Sequence, residues 1–390
     1  MKIILKSRKL FLMALVFGMS LNAYAATDLS KYTAAMQQLE ADLDIKSGDT
    51  FKAMLDVDTL LSKIFEGIEN DVDPSFKQGF SKGFKERGVD NLVERIVGMM
   101  PDQNGANVIR VIEKDGKIYA AVRYNFQDQG YGYVEYELVK DKASGKIRIV
   151  DWYDYQSGQN YSKSLKQIVA TLSPNPNLIG KIFDIATGQS SRAQDIVKMV
   201  KAANEQDFKT IRTIYKSFDS AQKKNWVIMI VSFNLANTSG DIDFYDEVLI
   251  DIEKNFANDP RASFVLIDYY ILKQQYDEAL ACINKLSRIF DYKDAGLWHL
   301  TANTHLMQGN YQRSIKDAQQ GIKLEPDFEE SYWTLLSAQV MTGDNASATD
   351  TIKILEQDFG YLLSREALSQ DEIFQEYINS PEYKKLESSR

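Results

Sequence analysis

Gly309-Asn310-Tyr311 and Gly343-Asp344-Asn345 lie 34 residues apart. Laying one stretch on the other pairs Trp298 with Tyr332, Ala302 with Leu336, Ser314 with Ala348 and Gly321 with Leu355, and puts Pro326 at the end of the unit. A period of this length marks stacked helical hairpins, each too small to bury its own apolar face. Two helices pack closely only where the side chains at their crossing are small. Proline has no amide to donate and stops the second helix of the unit.

This pattern resembles the tetratricopeptide repeat. Upstream, Tyr276-Asp277-Glu278-Ala279 fits the turn into a second helix, with Leu266 and Tyr270 on the first; Tyr276 to Tyr311 is 35 residues. Tyr245-Asp246-Glu247-Val248, followed by Pro260, keeps the fifteen-residue interval of Tyr311 to Pro326 and puts a first helix over Gln222–Asn237. Apolar residues also recur at helical spacing in Ala193–Ala203 (Ile196, Met199, Val200) and Phe208–Phe218 (Ile211, Ile214, Tyr215). The unit around Tyr245 and this further unit over 193–218 fit either degenerate repeats or plain amphipathic helices. The expected array covers 178–365, clearest over 261–294, 295–328 and 329–362, and is closed by a cap and tail over 366–390. Within the cap, Asp371–Leu386 is expected to be a helix interrupted by Pro381, and Ser388-Ser389-Arg390 is expected to fray.

The segment 26–172 is a different object. Phe51, Met54, Leu55, Leu61, Ile64, Phe65 and Ile68 form a helical apolar stripe. Asp73-Pro74 fits a cap with proline at the first helical position, and Gly88 is expected to close the helix carrying Phe76, Phe80 and Phe84. The period then becomes two. Strands are expected over Val108–Glu113, Ile118–Phe126, Tyr131–Val139 and Ile147–Tyr155, with Asp115-Gly116 as a tight hairpin turn and a helix over Ser162–Leu172. Helices before a four-stranded antiparallel meander make an α+β domain. Ser173-Pro174-Asn175-Pro176-Asn177 is the linker signal. The element order resembles nuclear transport factor 2-like, cystatin-type domains. The stretch Ile149–Gly158 is similar to an ending found in bacterial exported proteins that couple such a domain to tetratricopeptide repeats. The resemblance implies an architecture and brings no activity with it.

Lys2, Lys6, Arg8 and Lys9 precede the apolar run Leu10–Met19 and the small-residue site Ala23-Tyr24-Ala25. The expectation is a secretory signal cut after Ala25, and a periplasmic or secreted protein. Losing those four charges would take the net charge from −9 to −13. Such an acidic chain is not a nucleic-acid binder, and no later run is long enough to span a membrane. One Cys and two His exclude disulfide frameworks, multi-Cys metal sites and His-rich metal centres.

Candidate chemistry is sparse. Gly79-Phe80-Ser81-Lys82-Gly83 matches a nucleophile elbow but sits in a helical pattern, far in sequence from His299 and His305. Six residues apart on one helix, those two His point about 120° apart and cannot share an ion. Glu69, Asp71 and Asp73 lack the glycine of a calcium loop. No cofactor and no catalytic activity are expected. Aromatic residues crowd the sheet, and parity puts Asp151 and Tyr153 on the same face as Ile147 and Ile149. A pocket there, lined by Tyr119, Asp151, Tyr153 and Tyr155, would make the domain a small-molecule or lipid binder or an acid–base enzyme. The leading expectation is a scaffold holding a protein or peptide in the array's groove, with His299, Asn303, Trp333 and Gln339 lining it. A third role for the amino-terminal domain is to cover the array.

Overall fold

The computed structural model describes residues 28–390 apart from 103, 128–129, 174, 176–177, 179–180 and 183–189. The expected signal segment lies outside the described residues, as do three of the five linker positions.

Five helices open the chain: α1 Ser30–Asp44, α2 Asp49–Met54, α3 Val57–Phe65, α4 Pro74–Gly83 and α5 Val89–Met99. Asp73 caps α4 by accepting from the amides of Ser75 and Phe76 at 2.9 and 3.0 Å, which accounts for the acid before Pro74. Gly88 does not end the helix as expected. The chain passes through a π turn at Phe84–Gly88 into α5, and a Cβ on Gly88 would lie 2.7 Å from the Phe84 ring. Glycine serves close packing here.

The sheet is an antiparallel meander in the order β1 Ala106–Lys114, β2 Lys117–Phe126, β3 Gly130–Lys140, β4 Ile147–Asp154 and β5 Gln159–Asn160. The two-residue β5, absent from the sequence expectation, leads into α6 Tyr161–Leu172. Pairing along β3–β4 runs Leu138 with Ile149, then Glu137 with Asp151. Val150 is the extra residue of a bulge, and a bulge flips parity. Asp151 and Tyr153 therefore do not share a face with Ile147 and Ile149. Trp152 takes over that face, beside Tyr136.

Both faces of the sheet are covered. Against one, the Phe51 ring of α2 meets Tyr136 and Trp152 at 6.0 Å each, and Trp152 stacks on Tyr161 at 4.0 Å. The opposite face lies against helical hairpins, and one continuous apolar core runs from Met36 of α1 to Leu297.

Among the described residues those hairpins form five units, each with helices A and B: Ser190–Asn204 and Phe208–Lys216 (unit I), Trp226–Ser239 and Ile242–Phe256 (II), Ser263–Leu272 and Tyr276–Ile289 (III), Ala295–Met307 and Tyr311–Leu324 (IV), Glu329–Met341 and Asn345–Asp358 (V). Each A–B turn holds one left-handed residue: Gln206, Gly240, Gln274, Gly309 and Gly343, with φ of 56, 67, 57, 79 and 73°. They recur every 34 or 35 residues, so units I and II, the two uncertain ones, belong to the same array. The next residue opens helix B; Asp207, Asp241 and Asp344 cap it through their side chains. In unit II the turn is Ser239-Gly240-Asp241, so Ile242, and not Tyr245, is the counterpart of Tyr311. Helix A of that unit starts at Trp226, after a separate turn of helix at Ser220–Lys223.

A second apolar cluster, from Tyr332 to Leu386, closes the far end. Pro381 does not interrupt a helix; it opens Pro381–Ser388, capped by Ser380, while 371–379 hold two 3-10 turns. The tail is tied down: Arg390 pairs with Glu356 and donates to the Leu363 carbonyl at 3.0 Å.

Candidate functional site

The outer face of the sheet seats on the A-helix ends of units III to V. Arg123 of β2, with 0% of its surface exposed, is the centre of the contact. It donates to Asp294 Oδ2 and Glu325 Oε1 at 2.7 Å each and to Asn125 Oδ1 at 2.8 Å, and lies 4.5 Å over the Phe328 ring. Asp294 also accepts from Tyr133 Oη at 2.7 Å and caps helix IVA through the Leu297 amide at 2.9 Å. The two carboxylates more than offset the burial of Arg123 and hold it charged, whereas burial raises the carboxyl of Glu325 above its ordinary value. Gly296 makes room for this approach: a Cβ there would lie 2.8 Å from Arg123 Cδ and 2.9 Å from Tyr133 Oη. Around the clasp, Tyr133 stacks on Phe290 at 5.3 Å, Arg110 bonds Asp291 at 2.8 Å, and Trp226 donates to the Ser157 carbonyl at 3.1 Å.

Beside the clasp a cleft of about 340 Å³ stays open between the two parts. Phe126, Gly130 and Tyr131 bound it from the sheet, with Met99 and Gln156 at its rim; Phe264, Ile267 and Asp268 of unit III and His299 and Leu300 of unit IV bound it from the array. His299 packs edge-on against Tyr131 at 6.1 Å, with Thr334 Oγ1 3.2 Å from its Nδ1. Burial pushes its pKa down to about 4, so the ring is neutral at ordinary pH. Asp268 is exposed at the cleft, and partial desolvation by the surrounding protein raises its carboxyl. Among the described residues no cation pairs with it.

The other expected groove residues disperse. Asn303 is half-buried one turn beyond His299 on the same face. Trp333 holds the equivalent place in unit V and meets Tyr361 edge-on at 5.0 Å. Gln339 is six residues from Trp333, hence about 120° away around the helix, and it accepts from Thr351 Oγ1 at 2.8 Å inside the A–B interface. It does not line the groove.

The four expected pocket residues do not line one pocket, although Tyr153 meets Tyr155 edge-on at 4.9 Å. Tyr119 and Tyr153 border a depression of about 210 Å³ with Glu135, Glu137 and Asn160. Asp151 borders a different one of about 580 Å³, and its oxygens already accept from the amides of Trp152 and Ser162 at 2.9 and 3.1 Å and from Ser162 Oγ at 2.7 Å. It acts as the cap of α6, with Lys63 at 3.9 Å. Tyr155 lies under the array, 5.1 Å from Phe290. The sheet face that carries Ile149 is filled by Phe51, Tyr136 and Trp152. Sequence reasoning missed Phe264 and Asp268 of the cleft. The 34–35-residue register could have found them, since Phe264 is the counterpart of His299 and Trp333, and Asp268 of Asn303 and Ser337.

Among the described residues no group of His, Cys, Asp or Glu could hold a metal ion, and no helix is long and apolar enough to cross a membrane. Cys282 is buried, which raises its thiol pKa. No protein-family model matches the sequence, and no curated protein matches it. Among solved structures, the chain is similar to MamA from AMB-1, at 14% identity and a TM-score of 0.35 over 44% of this chain and 94% of that one. It is also similar to two structures of a MamA mutant, at 14 and 16% identity, TM-scores of 0.33 and 0.32, and 42 and 43% of this chain against 96 and 91% of those. The repeat architecture rests on the recurring turn geometry of the five units.

Proposed function

We propose that the protein is an exported, non-catalytic scaffold that holds a protein or peptide partner along the uncovered part of its repeat groove. In this reading the signal is removed after Ala25, and the mature chain works in the periplasm of a Gram-negative bacterium. Its two parts, 26–172 and 178–365, joined by 173–177 and closed by 366–390, act as one body. The sheet, whose element order resembles nuclear transport factor 2-like domains, serves here to cover one stretch of groove.

The observation that carries the reading is a row of exposed apolar side chains in one register. Leu272, Met307 and Met341 end the A helices of units III, IV and V and are 75, 48 and 42% exposed. Each lies eight residues beyond Phe264, His299 or Trp333, and so about 80° further around its helix. Unbranched methionines adapt to irregular partner surfaces. Apolar side chains aligned at successive repeats form the kind of continuous strip that partner segments cover.

A photo-crosslinking residue placed at Met307 of the full chain, expressed in its own cell, tests this. The expected result is a covalent adduct with one protein, lost when Trp333→Glu is added. Absence of any adduct from Met307, Leu272 and Met341 alike would overturn it. Amino-terminal sequencing of the chain recovered from the periplasmic fraction tests localisation, with Ala26 the expected first residue.

A further inference from the structure

We propose that the cleft between the sheet edge and the A helices of units III and IV binds an organic cation: an ammonium or guanidinium group on a flat apolar body. At about 340 Å³, set where two parts of a chain meet, it has the size and place of small-ligand sites. Three of its lining residues are aromatic: Phe126, Tyr131 and Phe264. Ring faces attract cations and also shelter an apolar body.

The charge in the cleft points the same way. Asp268 brings a carboxylate with no cation paired to it among the described residues. None of the described lining residues is Lys or Arg. His299 stays neutral and so does not supply the missing charge. Arg123, on the neighbouring strand, is shared between Asp294 and Glu325. An anion entering the cleft would meet Asp268 unscreened, and a neutral ligand would leave that carboxylate without a partner at further cost in desolvation. A cation answers both the carboxylate and the rings.

The cation has two sources, a free amine or a Lys or Arg side chain of a bound peptide. The proposal does not depend on a partner occupying the Leu272–Met341 row.

The chain holds two His, so ring-labelled histidine NMR of the whole mature protein reports the cleft directly. His299 lines it and His305 does not. Benzylammonium is expected to shift the His299 signals saturably while His305 stays put. Benzyl alcohol and phenylacetate should bind at least tenfold more weakly, and Asp268→Asn should weaken benzylammonium at least tenfold. A cleft that takes benzyl alcohol or phenylacetate as well as benzylammonium, or that moves with none of them, overturns the proposal, as does an Asp268→Asn protein that keeps its affinity. Should that variant not fold, the comparison of the three probes on the natural chain decides alone. Acetyl-Phe-Lys-Phe-amide separates the sources. Binding tighter than benzylammonium assigns the cleft to a peptide side chain, and weaker binding assigns it to a free amine. Equal binding of the norleucine counterpart overturns the charge requirement.

Discussion

The A helices of units III to V carry one register of side chains along the groove, and the chain treats its two ends differently. At one end Phe264 and His299 lie beside the sheet, next to the caged Arg123. Two turns on, at the same three helices, Leu272, Met307 and Met341 face solvent. The two stretches differ in what covers them as well as in residue type. The sheet occupies one stretch through a charged clasp with fixed geometry, and leaves the other to adaptable apolar side chains. The covered stretch should therefore govern stability, and the bare stretch recognition.

The bluntest way to break this contrast is to remove the cover. Residues 178–390 expressed alone would expose the rings of Phe264, Phe290 and Phe328 together, a patch that favours aggregation. The expected product is aggregated or binds an apolar-surface dye strongly. A monodisperse fragment that melts cooperatively would show that the sheet is a separate appendage.

A smaller cut tests the clasp itself. Arg123→Met leaves Asp294 and Glu325 buried without their cation, and removing one member of a buried ion cluster costs about 3–5 kcal/mol. The loss should appear as a lower urea midpoint of the whole chain. Adding Glu325→Gln should recover part of it, because one stranded charge is gone. Arg123→Met at the natural midpoint would reduce the clasp to an ornament.

Most of the architecture was legible because it is periodic. The 34-residue spacing, the Asp115-Gly116 hairpin and the alternation of Ile118, Ala120, Val122 and Tyr124 translate directly into repeats, a turn and a buried face. Features that depend on a single residue were not. The bulge at Val150 reverses the parity of Asp151 and Tyr153, and no alternation pattern shows it in advance. Gln206 and Gln274 adopt the left-handed turn that glycine takes in units II, IV and V, so glycine spacing alone points to neither the turn of unit I nor that of unit III. The cleft was hidden for another reason. Phe126 and Tyr131 come from one part of the chain and Phe264, Asp268 and His299 from the other, and only their docking makes a site.

That docking leaves a pH signature. His299, lowered from 6.5 to about 4 by burial in the contact, binds fewer protons folded than unfolded across that window. Its contribution is fully present above pH 6.5 and is lost as pH falls through about 4. Asp268, Glu325 and Glu330, raised by burial, act in the opposite sense, so the informative quantity is a difference between proteins. Unfolding measured at about pH 7.5 and about pH 4.5 should show His299→Asn losing less stability on acidification than the natural chain, by on the order of 1–2 kcal/mol. Equal losses would mean that the ring is not sealed by the sheet.

The least disruptive change belongs to the bare stretch. Met307 is 48% exposed, so Met307→Glu removes little buried surface and should alter stability by no more than about 0.5 kcal/mol. A charge placed midway along the Leu272–Met341 row is nevertheless costly to desolvate under a partner, so capture of the partner should fall sharply. Together the two results separate recognition from folding, because no other clasp or core residue is touched. If Met307→Glu destabilises the chain as much as Arg123→Met, the row is part of the fold and the contrast between the two stretches collapses. If it does neither, the row is ordinary surface and the partner, where there is one, sits elsewhere.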